Sequence, residues 1–123
     1  MDHALRSKQV AEEFLKQRNC PEDLLVRILE CIQFHHSGNR ERSIEAILLF
    51  DADSLDFLGL VGLLRDFSKN YRELKKAYEI SRKRREKIPE LLVLPLSKEI
   101  ALQRTRQMDE LFALFEKDTF GFF

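Results

Sequence analysis

Residues 43–64 read SIEAILLFDADSLDFLGLVGLL, and the fold turns on how this stretch is read. Apolar side chains come first as Ile47-Leu48-Leu49-Phe50, then Leu55, then Phe57-Leu58-Gly59-Leu60-Val61-Gly62-Leu63-Leu64. The spacing predicts one long helix, apolar on nearly every side and therefore central to a core. Ser43 suits the N-cap of that helix, with Glu45 in its first turn.

Working outward, the same 3.6-residue period recurs. Val10, Ala11, Phe14 and Leu15 form one face of a helix from about Leu5 to Lys16. Asn19-Cys20-Pro21 breaks it, and Pro21 suits the first turn of a second helix marked by Leu25, Ile28, Leu29 and Ile32, ending near His35. Ser37-Gly38-Asn39 reads as loop. Downstream, a charged amphipathic helix runs from about Tyr71 to Lys87 and stops before Pro89, with residues 89–95 extended or irregular. Ser97 then caps a last helix whose stripe is Ala101, Thr105, Met108, Phe112 and Phe115. No strand pattern is longer than Leu91–Leu94. The expectation is an all-α fold of five helices in a single domain, residues 1–123.

Composition narrows the function. Lys plus Arg total 21 and Asp plus Glu total 21, so the basic excess of a nucleic-acid or anionic-membrane binder is missing. The longest apolar run, Leu91–Leu96, is too short to span a bilayer. Cys20 and Cys31 form no disulfide framework and no metal-knuckle spacing. The chain reads as soluble and intracellular, with the cytoplasm the expected location. Arg82-Lys83-Arg84-Arg85-Glu86-Lys87 is the one basic cluster. With no interleaved aromatic for base stacking, it reads first as a solvated face balanced by Glu73, Glu79 and Glu86. Gly59-x-x-Gly62 reads as close packing, since a P-loop needs its Lys-Ser/Thr. Cys31, between Leu29 and Ile32, reads as a small core residue.

Two clusters can carry chemistry. Asp51, Asp53 and Asp56 place three carboxylates in the most apolar stretch, where an ionised group must be bonded, protonated or metal-bound. At helical pitch Asp53 and Asp56 share a face and Asp51 lies about 160° away. They can equally face solvent or cap a neighbouring helix. His35-His36 ends the second helix, where a cation complements the dipole and where imidazole is also a frequent metal ligand. His3 lies near the start.

The order Asp2-His3-Ala4-Leu5-Arg6-Ser7, Val10-Ala11-Glu12-Glu13-Phe14-Leu15, Ile32-Gln33-Phe34-His35-His36 and Asp51-Ala52-Asp53-Ser54-Leu55-Asp56 followed by Leu58-Gly59 resembles the HD superfamily of all-helical, metal-dependent phosphohydrolases. It runs from residue 2 to about residue 68, and more weakly through Arg104, Met108 and Phe112. The resemblance implies a helical bundle of HD type, a divalent metal ion, and a phosphate ester or nucleotide as substrate. It makes Asp53 a metal ligand, His3, His35 and His36 auxiliary ligands, and Asp56 and Asp51 supporting carboxylates. Ser54 stands where many relatives have a basic residue, which removes a phosphate contact.

The chain departs from the pattern at the His-Asp dyad. No His-Asp dipeptide occurs in the 123 residues, so the dyad and the N-terminal helices bearing it are expected upstream of Met1. Apolar surface left by those helices, with Phe120, Phe122 and Phe123, predicts a homodimer or larger. A helical self-association or partner-binding module is the other reading.

Overall fold

The computed structural model describes residues 2–35 and 41–123, and among them six α-helices and no strand. The helices are α1 (His3–Gln17), α2 (Glu22–Phe34), α3 (Ile44–Leu55), α4 (Gly59–Lys69), α5 (Leu74–Leu91) and α6 (Pro95–Asp118). None is long and apolar enough to cross a membrane. The all-α expectation holds, with six helices in place of five. The loop expected at Ser37-Gly38-Asn39 lies outside the described residues. The chain divides into two compact units, Met1–Asp51 and Ala52–Phe123.

In the first unit α1 and α2 pack as a hairpin. The Asp2 carboxylate accepts from the Ala4 amide at 3.1 Å and so caps α1. Asn19 takes a left-handed φ of 57° that turns the chain into α2, where Pro21 is the N-cap residue itself. Lys8 Nζ donates to Gln33 Oε1 at 2.7 Å across the pair. The expected core face of α1 is only partly used: Ala4 is buried, but Val10 and Phe14 are exposed. Ser43 caps α3 as expected, accepting from the Ala46 amide at 3.2 Å, while its own amide donates to Glu30 at 2.9 Å. Arg42 is buried, stacked 4.4 Å above the Phe50 ring. α3 buries Ala46 and Phe50 and leaves Ile44, Leu48 and Leu49 exposed, so it is not buried on all sides.

The single helix expected over 43–64 is broken at residues 56–58. Leu58 is extended (φ −102°, ψ 160°) and Gly59 has φ +82°, a conformation that L side chains avoid. The break inserts Leu55, Leu58 and Leu63 into one core with Tyr78, Ile88, Leu92, Ala101, Met108 and Phe112. The Leu55 carbonyl, at the end of α3, accepts from the Leu58 amide at 3.0 Å and from Arg104 of α6. Burial of three leucines, at roughly 1.5–3 kcal/mol each, outweighs the lost helical hydrogen bonds.

Two prolines act otherwise than expected. Pro89 lies inside α5, which continues to Leu91. With no amide it cannot donate to the carbonyl four residues back, yet the helix continues, and Ile88 and Leu92 on either side are buried. Pro95, not a Ser97 cap, opens α6 from its first position, where its missing amide costs nothing; Ser97 is buried. The predicted stripe of α6 is in the core: Ala101, Thr105, Met108 and Phe112 are buried, and Phe115 stacks on Phe67 with centroids 5.1 Å apart.

The basic cluster of α5 makes ties within the bundle, to carboxylates other than the three expected. Arg84 pairs with Asp66 of α4. Arg85 makes a two-pronged bond to Asp109 of α6 at 2.7 and 2.8 Å, and Arg82 lies over Phe112 with Glu116 at 3.5 Å. The Arg85 guanidinium bonded to Asp109 holds that carboxyl below the usual aspartate range. A depressed native pKa contributes stability above the unfolded-state value and loses it as pH falls through the native one. Asp109 is half exposed, so Asp109→Asn is expected to cost under about 1 kcal/mol at neutral pH. In urea melts across pH that difference should shrink as acid titrates the carboxylate.

Candidate functional site

Asp51 and Asp53 differ in surroundings more than in sequence. Asp51 is 1% exposed, in the third turn of α3 on the face that also buries Phe50. Asp53, in the last turn of α3, is half-buried, and Ser54 beside it is buried. Asp56 is not on Asp53's helical face: α3 ends at Leu55, and Asp56 is exposed and paired with Arg65 at 2.9 Å. The break that starts α4 removes it from the helix. Asp56 lines a recess of about 220 Å³ with Leu58, Gly59, Arg104 and Gln107.

His35 is the C-cap residue of α2, and its Nδ1 lies 2.6 Å from the Ile32 carbonyl. A carbonyl only accepts, so the proton of a neutral imidazole is on Nδ1 and the lone pair on Nε2, the arrangement that ligating histidines use. His3 is the first residue of α1 and is exposed, beside Arg6, Val10 and Phe14 along an open groove. His36 lies outside the described residues. Among those residues no three His, Cys, Asp or Glu side chains are gathered as a set able to hold a metal ion.

The sequence reading missed Asp66. This carboxylate is 2% exposed, accepts from the Ser81 hydroxyl at 3.2 Å, and pairs with Arg84, whose guanidinium lies 4.4 Å above the Phe57 ring. The signal was present in part: Asp66 lies three residues beyond Leu63, on the apolar side of α4. Its partner was hidden in the basic cluster. Both oxygens of Asp66 are taken within the bundle, one by Arg84 and one by Ser81, which marks it as structural. Tyr78 is the other buried polar group of interest. Burial, and then its hydrogen bond to Glu116 at 3.0 Å, push its hydroxyl above the usual tyrosine range. The Cys31 thiol is also pushed up, chiefly by burial and then by Glu30 and Glu45, so it is less of a thiolate nucleophile than a free cysteine.

Compared with protein-family models, with curated proteins and with solved structures, the chain matches none of them.

Proposed function

We propose that this chain is an HD-type, phosphohydrolase-like helical domain in which Asp53 is a ligand for a divalent metal ion. The observation that carries the reading is the place of Asp53, a half-buried carboxylate in the last turn of a helix rich in apolar residues. By resemblance, His35 is a nitrogen ligand. By resemblance, His3 and His36 assist, Asp51 and Asp56 support, and the substrate is a phosphate ester or nucleotide, in the cytoplasm.

A divalent ion in such a site polarises a phosphoryl oxygen and lowers the pKa of a bound water. With no His-Asp dipeptide in the 123 residues, this chain alone supplies an incomplete ligand set. The reading therefore expects weak metal binding and little turnover by the isolated chain. Its test is a titration of manganese against the wild type and Asp53→Ala, with phosphate release from a general phosphomonoester followed in parallel.

One observation favours a second reading, self-association. The second unit leaves large apolar side chains exposed at both ends of α6: Leu91, Val93 and Leu96 at its start, Phe120 and Phe122 at its end. Phe123 instead packs on Tyr78, 5.4 Å between centroids. Exposed apolar clusters of this kind are stabilised by covering them.

A further inference from the structure

We propose that the outward face of α6 is the interface between two copies of this chain, paired antiparallel about a two-fold axis level with Met108. The inference rests on the self-association reading and names its surface. Glu99, Gln103, Arg106, Glu110, Ala113 and Lys117 are all exposed. Their spacings alternate between four and three, which aligns them in one stripe along the helix. Met108 lies midway along that stripe but turns inward and is fully buried.

The charges on the stripe are arranged symmetrically with opposite sign. Glu99 and Lys117 are equally far from Met108 on opposite sides, and so are Arg106 and Glu110. In an antiparallel pair each Glu99 therefore faces Lys117 of the second copy, and each Arg106 faces Glu110. Gln103 faces Ala113, with no charge opposed. A parallel pair in register sets every charge against its own kind, so the pattern selects direction as well as partner. Among the described residues none of these four charges is ion-paired within its own chain.

The driving force lies at the ends. A helix of 24 residues is about 36 Å long, and antiparallel pairing carries the start of one α6 to the end of the other. Leu96, 66% exposed, then comes level with Phe120, 89% exposed, twice in each dimer. Exposed ion pairs contribute little energy singly. Here they set the register, and the apolar ends supply the burial.

The test is light scattering on the full chain at tens to hundreds of micromolar, for the wild type, Arg106→Glu, Glu110→Arg and the double variant. Both positions substituted are exposed, and a thermal melt of each variant checks that folding is retained. The expected result is a wild-type dimer whose dissociation constant rises about tenfold in either single variant, because two contacts per dimer turn repulsive. The double variant exchanges the charges and should restore the wild-type constant. A dimer indifferent to both single variants overturns this face and leaves the self-association reading standing. A monomer at every concentration overturns both.

Discussion

Replacing Asp66 with alanine is expected to destabilise the second unit by roughly 3–5 kcal/mol, a large fraction of a small domain's total stability. Asp66 and Ser81 are 2% and 0% exposed, and Arg84 retains about 30% of its side-chain surface. Losing the carboxylate leaves a buried hydroxyl with no acceptor and a partly buried guanidinium with no counter-charge. The hydroxyl cannot recover its water, and the guanidinium recovers only part of its own. The Arg65–Asp56 pair is the control: its side chains are 39% and 60% exposed, and Asp56→Ala should cost less than about 1 kcal/mol. A paired replacement, Asp66→Leu with Arg84→Met, removes both charges together and should cost less than Asp66→Ala alone. Urea unfolding of the four proteins measures this series. Equal losses for Asp66→Ala and Asp56→Ala would show that the triad does not hold the bundle.

The second large effect is expected at Gly62, and there the sign is diagnostic. On an exposed helical surface, glycine to alanine stabilises by about 1 kcal/mol because alanine loses less backbone entropy. At Gly62 a Cβ would meet the Phe57 carbonyl carbon and oxygen at 2.4 Å. Those are backbone atoms of the turn that joins α3 to α4, and they cannot rotate away. Gly62→Ala is expected to destabilise by about 3 kcal/mol, the upper end of overpacking costs. Gly59→Ala meets only side-chain atoms, of Arg104 and Gln107 at 3.2–3.4 Å. Its penalty is the positive φ, about 1–2 kcal/mol. Thermal melts that rank Gly62→Ala above Gly59→Ala in damage support the observed turn; a stabilised Gly62→Ala contradicts it.

These two sites also show where the sequence was legible. The helical period of α6 was plain, because Ala101, Thr105, Met108 and Phe112 face a core on one side only. The break at residues 56–58 was not, because Leu55, Phe57, Leu58 and Leu60 are all compatible with a continuous helix. Its support lies far along the chain: Arg104, forty-nine positions later, donates to the Leu55 carbonyl. Pro89 read as a stop because local preference says so, while the burial of Ile88 and Leu92 around it is tertiary. Pro95 in turn explains why Ser97 is not the cap.

The candidate site was legible as composition and less so as geometry. Three carboxylates in an apolar stretch signal that something must neutralise or solvate them, yet their separate fates depend on where α3 ends. Asp51 is enclosed, Asp53 half-enclosed and Asp56 drawn out to Arg65. Asp66 escaped notice because a single acid in an amphipathic helix looks like a surface residue until the helix packed against it is known. Likewise the arginines of α5 looked solvated, and their partners, Asp66, Asp109 and Glu116, come from other helices.

The central claim, that Asp53 is a metal ligand, is tested most directly by calorimetric titration of manganese against the wild type and Asp53→Ala. The account predicts weak, saturable binding of one ion to the wild type, reduced by about tenfold or more in the variant. Identical isotherms for the two proteins, or no binding to either, would contradict it.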